Sequence, residues 1–98
     1  MQQNHSEKAT EVFSAKEWLA LTRGLELSPR LREIACRLLT GQSDKQIAQA
    51  LGIGLPTVRT HMARLFSKLG VSDRGEVAIF FFRLHRSMVA DSPTLITS

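Results

Sequence analysis

The sequence predicts an all-α fold, a four-helix domain preceded by one extra N-terminal helix. Three observations predict it. No stretch alternates apolar and polar residues as a half-buried strand does. Glycines and prolines fall between segments of helix length. Four of the segments open on a residue able to cap a helix, namely Ser14, Ser28, Ser43 and Asp73.

The elements follow in order. Ser14 and Glu17 have capping-box spacing, with Phe13 and Trp18 at the two ends of a hydrophobic staple, so a first helix is expected over 15–23. Gly24 is expected to end it in a left-handed conformation. A second helix over 29–40 has Ser28 as its N-cap, Pro29 at its first position and Gly41 past its end. Leu31, Ile34, Ala35 and Leu38 form its apolar stripe. A third, over 44–51, opens on a Ser43/Gln46 capping box and buries Ile47, Ala48 and Leu51. After Gly52-Ile53-Gly54 a fourth helix runs over 56–69. The fifth starts at Asp73 or Arg74, with Glu76 at capping distance, and continues to Arg86. Residues 1–26 are thus a tail and the extra helix, 27–87 the main domain, and 88–98 (MVADSPTLITS) a loose tail. No internal repeat is present.

Composition narrows the classes. At 98 residues, 43% hydrophobic and 22% charged, the chain suits one small globular domain. No run approaches the roughly 20 apolar residues of a membrane span, and MQQNHSEKATE lacks the layout of a secretory signal. Cys36 is the single cysteine, which leaves no internal disulfide or zinc cluster, and a cytoplasmic setting is expected. Cys36 reads as a helix residue near the first helix in preference to a redox switch. The net charge of +4 is unevenly spread. Residues 28–74 hold eight Lys and Arg against three acids, a balance of +5, while residues 1–27 hold three against four and residues 75–98 two against two. A basic middle is expected of a surface facing a polyanion, although a solvated basic face gives the same count.

The segment 44–69 combines a short helix, a Gly-containing turn and a longer helix, the layout of a helix-turn-helix. Ala48 is small where two helices approach, Gly52 permits the sharp turn, and Ile53 fills the angle between the helices. On a helical wheel Val58, Met62, Leu65 and Leu69 lie on one side, flanked by Phe66 and His61. Pro56, Thr60, Ala63 and Ser67 lie opposite, bounded by Arg59 on one edge and by Thr57, Arg64 and Lys68 on the other. Small residues let a helix approach base edges, and flanking cations meet phosphates. An ordinary solvated helix would carry Glu or Asp on this face, yet 55–70 contains neither.

The run LSPRLREIACRLLTGQSDKQIAQALGIGLPTVRTHMARLFSKLGVSDR resembles the LuxR/GerE-type (NarL-like) helix-turn-helix of bacterial transcription regulators. The matching features are Leu27-Ser28-Pro29-Arg30, Glu33, Gly41, Lys45, Ile47-Ala48, Leu51-Gly52-Ile53, Thr57-Val58-Arg59-Thr60-His61, Lys68-Leu69-Gly70-Val71 and Arg74. The resemblance implies base contacts by Arg59, Thr60 and Ala63, to which the adjacent Arg64 is added, and phosphate contacts by Ser43, Lys45, Thr57 and Lys68. Two departures stand out: Gly54 occupies a cap where the family often has Ser or Thr, and Ala63 stands where many members have Lys or Asn. An alanine reads a thymine methyl or nothing, so the target sequence does not follow from the family.

In the last helix Val77, Ala78, Phe81 and Leu84 satisfy a core stripe, leaving Ile79 and Phe82 pointing elsewhere, with Gly75 on the side of Ile79. The resemblance makes this helix the two-fold dimer contact. Alternatively the N-terminal helix, through Phe13, Trp18, Leu21 and Leu25, covers these residues within one chain, and both arrangements can coexist. The partners expected are double-stranded DNA, a second copy of the chain and, from the regulator class, RNA polymerase. No cofactor, metal, membrane or small-molecule ligand is expected. His61 reads as a partly buried residue orienting its helix, and His5 and His85 lack metal-ligand spacing. No phosphate-cradling loop, nucleophile elbow or carboxylate pair points to an enzyme. Sigma-factor region 4 shares the helix-turn-helix but fits the Lys68–Val71 exit poorly. A protein-interaction module, an anti-activator pairing with a larger LuxR-type regulator through Ile79 and Phe82, is the alternative function. Met1 favours a chain that stands alone over one cut from a longer regulator.

Overall fold

The computed structural model describes residues 13–90, in which the chain forms five helices and no strand. They are α1 (Ala15–Gly24), α2 (Pro29–Leu39), α3 (Asp44–Leu51), α4 (Leu55–Leu69) and α5 (Arg74–Ala90). Their starts follow from local chemistry. Ser14 and Glu17 close a reciprocal capping box, as do Ser43 and Gln46. Ser28 Oγ accepts from Leu31 N–H, and Pro29 follows it where a missing N–H costs nothing. Asp73 Oδ1 accepts from Glu76 N–H, while Glu76 reaches back to Ser72 N–H.

Helix ends decide the angle at which α3 meets α4. Gly52 adopts φ 67°, and there Gly52 N–H donates to Gln49 and Ile53 N–H to Ala48, the paired bonds of a Schellman motif. Only glycine takes this conformation without a steric cost. The chain leaves α3 sharply, and α4 crosses it after three residues. Gly70 ends α4 in the same way.

Besides one-residue shifts, α2 ending at Leu39 and α4 starting at Leu55, two helix ends differ from expectation. Gly24 is not left-handed: α1 runs through it, and the positive φ falls on Glu26 at 55°. Leu25 N–H and Glu26 N–H bond the carbonyls of Thr22 and Arg23, so the turn closes two residues later than glycine placement suggests. The last helix continues past Arg86 to Ala90, which makes residues 88–90 helical and not the start of a loose tail. The remainder of that expected tail, 91–98, and residues 1–12 of the N-terminal tail lie outside the described residues.

One core joins all five helices. Leu21 of α1, Ile34 and Ala35 of α2, Ile47 of α3, Val58 and Leu65 of α4, and Val77 and Phe81 of α5 are buried together. Each fully buried Leu, Ile, Val or Phe contributes about 1.5–3 kcal/mol. The extra helix is docked by aromatics: Phe13 stacks on Trp18 at 6.4 Å, as the staple predicts, and Trp18 meets Phe81 at 5.0 Å. His85 of α5 pairs with the Glu17 carboxylate of α1 at 2.7 Å. Arg37, counted with the basic middle of the chain, is turned inward at 6% exposure and paired with Glu33 at 3.6 Å. It therefore adds nothing to a basic surface.

Candidate nucleic-acid interface

The burial of α4 divides it as the wheel predicts. Val58, Met62, Leu65 and Leu69 are buried, His61 and Phe66 are half-buried, and Pro56, Thr57, Arg59, Thr60, Ala63, Arg64, Ser67 and Lys68 are exposed. All four residues expected to touch bases, Arg59, Thr60, Ala63 and Arg64, thus lie on the outer side. Thr60 Oγ1 donates to the Pro56 carbonyl at 3.1 Å, which commits its hydroxyl proton to the helix. What Thr60 presents outward is a methyl group and a lone pair.

The α4 N-terminus is open. Its cap, Gly54, makes no side-chain hydrogen bond, so no side chain covers the first-turn N–H groups. These donors and the positive end of the helix dipole suit a phosphate. Thr57 is exposed beside them. On α3, Ser43 Oγ accepts from Gln46 N–H at 3.1 Å, which uses a lone pair and leaves the hydroxyl proton free to donate. Lys45 is exposed at the same end of α3. At the far end of α4, Lys68 Nζ donates to the Glu26 carbonyl at 3.1 Å, with two further ammonium protons available. The cations expected at phosphates are thus spread across both helices of the motif.

Two acids stand at this surface, Asp44 and the exposed Asp73. Asp44, the first residue of α3, lies 3.8 Å from Arg59 Nε through Oδ2 and 3.5 Å from Arg74 Nη1 through Oδ1. Arg74 also donates through Nη2 to the Gln42 carbonyl. Between them lies an open groove of about 420 Å³ lined by Met62, Ala63, Phe66 and Asp73. Sequence reading passed over this link because Asp44 and its partners are far apart in the chain, and no local spacing signals it.

Of the residues expected at a dimer contact, Gly75 is exposed, and Ile79 and Phe82 keep 50% and 52% of their surface. Phe13 approaches Phe82 with ring centroids 5.6 Å apart without covering it. Burial pushes the Cys36 thiol pKa up, away from a reactive thiolate. No helix among the described residues is long and apolar enough to cross a membrane.

A short helix, a left-handed glycine turn and a longer helix with an acid-free outer face define a helix-turn-helix protein. The family model of the bacterial regulatory proteins of the luxR family matches residues 25–81, and the chain belongs to that family. The transcriptional regulatory protein LiaR of Bacillus subtilis (strain 168) is 41% identical over 59 residues, covering 60% of this chain and 28% of LiaR. The probable transcriptional regulatory protein NarL of Mycobacterium tuberculosis (strain ATCC 25618 / H37Rv) is 52% identical over 48 residues, 49% of this chain and 22% of that protein. A putative HTH-type transcriptional regulator in the exeN 3' region of Aeromonas salmonicida is 38% identical over 88 residues, 88% of this chain and 45% of that protein. The chain spans less than half the length of each of these relatives. No solved structure matches it.

Proposed function

We propose that this chain is a sequence-specific, double-stranded-DNA-binding transcriptional regulator that inserts α4 into the major groove and binds as a homodimer. The observation that carries the reading is the outer face of α4, eight exposed residues of which three are cations and none is acidic. Arg59, Thr60, Ala63 and Arg64 are the base-reading set. Ser43, Lys45, Thr57 and Lys68, with the uncapped N-terminus of α4, hold the phosphates. The DNA-binding unit is 27–87, to which α1 is an addition packed on α5.

The dimer contact is a stripe on α5. Gly75, Ile79, Phe82, Arg86 and Val89 recur at alternating intervals of four and three, the spacing of a helix seam. All five are exposed, and the continuation of α5 to Ala90 is what adds Val89. Large exposed apolar side chains in one line mark a contact surface. Two copies related by a two-fold axis would read two half-sites about one helical turn apart. The regulator class implies RNA polymerase as the downstream partner and the cytoplasm as the setting.

Selection from a random duplex library with the full chain tests the reading. A recovered motif with two-fold symmetry is expected. Undetectable affinity for any duplex at low salt would overturn it.

A further inference from the structure

We propose that Asp44 is a positioning residue for Arg59, and that through it the helix before the turn sets how sharply α4 discriminates bases. The inference rests on the role of Arg59 as a base reader proposed above.

The geometry is a relay across three helices. Arg74, at the first position of α5, is fixed by its bond to the Gln42 carbonyl in the α2–α3 connection. Its other terminal nitrogen faces Asp44 Oδ1, which leaves Oδ2 aimed at Arg59 Nε. The arginine side chain of Arg59 is 67% exposed and otherwise free to sample many rotamers. A carboxylate near Nε restrains the stem and leaves the two terminal nitrogens as the fork that pairs with a guanine edge. Ala63 on the groove floor has no bulk to obstruct the arrangement. The same carboxylate carries a second, opposite effect: a negative charge beside the DNA face repels phosphates on every sequence alike.

These effects separate in a double-mutant cycle on the full chain. Asp44→Asn keeps the shape and removes the charge. Binding is measured against the selected duplex and against the duplexes substituted at each base pair, in the Arg59 and the Arg59→Ala backgrounds. The expected result is a general gain in affinity in both backgrounds, with discrimination at a single base-pair position falling about two- to fivefold only where Arg59 is present, the range of an exposed ion pair. Asp44→Glu, which retains the charge, should recover part of that discrimination. Equal effects in both backgrounds would overturn the inference and leave Asp44 as a surface charge. Should Arg59→Ala alone change no base preference, both this inference and the reading role of Arg59 fall. An Arg59→Ala effect without coupling to Asp44 overturns this inference alone.

Discussion

Phe82→Ala should uncouple binding of a two-half-site duplex from binding of a single half-site. Phe82 keeps 52% of its surface in water, about 100 Å² of the roughly 150–250 Å² that an aromatic side chain can bury. At about 25 cal/mol per Å², covering it against a second copy is worth ~2.5 kcal/mol per chain and ~5 kcal/mol per dimer. Ile79, 50% exposed, adds a comparable amount. Association itself costs about 4–15 kcal/mol, so the proposed dimer is expected to be weak when free and to form mainly on DNA. Truncation to alanine removes most of the Phe82 share, a loss of about 10³-fold or more in the dimer constant. Sedimentation measures the dimer, and fluorescence anisotropy compares a two-half-site duplex with a half-site duplex. Because Phe82 also approaches Phe13, a melting curve confirms that the variant folds. Half-site affinity should hold while the advantage of the full site disappears. Wild-type affinity of Phe82→Ala for the full site would refute α5 as the dimer contact.

Other outcomes follow from the ion pair and the turn. The Glu17 carboxyl is held below its ordinary value of 4.5, first by its bond to His85 and then by Ser14 N–H. A lowered carboxyl stabilises the fold above its unfolded pKa, and the contribution is lost as pH falls through the folded value. Glu17→Gln should therefore flatten the decline of melting temperature between about pH 5 and about pH 3, and unchanged acid limbs would show that the pair does not anchor α1. Gly52→Ala places a Cβ where no atom lies within 4 Å, so its cost is backbone strain alone at φ +67°. That is about 1–2 kcal/mol, or roughly 5–15 °C in a domain of this size, and an unchanged melting temperature would contradict the left-handed turn.

What the sequence reveals is what depends on near neighbours. The Ser14/Glu17 and Ser43/Gln46 boxes, the Ser28 and Asp73 caps and the α4 stripe each involve residues three or four apart. The α4 face was legible for the same reason, because a 3.6-residue period places Arg59, Thr60 and Ala63 outward whatever packs behind. Tertiary contacts account for the rest. Gly24 looked like the end of α1, but glycine also tolerates helical φ, and the turn settled at Glu26, whose carbonyl is held by Lys68 from α4. The end of α5 lies past Arg86 because no glycine or proline interrupts 87–90, the first such breaker being Pro93. Met88 and Val89 border an open groove beside Lys16, Ala20 and Leu21 of α1 and stay exposed. Arg37 is inward because its helix face, not its charge, sets its position. The Asp44 bridge to Arg59 and Arg74 exists only once the turn has brought three helices together.

The central claim is that α4 reads base edges while flanking cations hold phosphates, and a salt titration of two variants tests it most directly. Affinity for the selected duplex is measured from low to moderate salt for the wild type, Arg59→Ala and Lys68→Ala. Arg59→Ala should cost about 1–3 kcal/mol on the selected sequence and relax discrimination at one base pair. Lys68→Ala should weaken all duplexes alike and reduce the slope of log affinity against log salt by about one. If both variants bind every duplex as the wild type does, with the same salt slope, the outer face of α4 is not the DNA-reading surface.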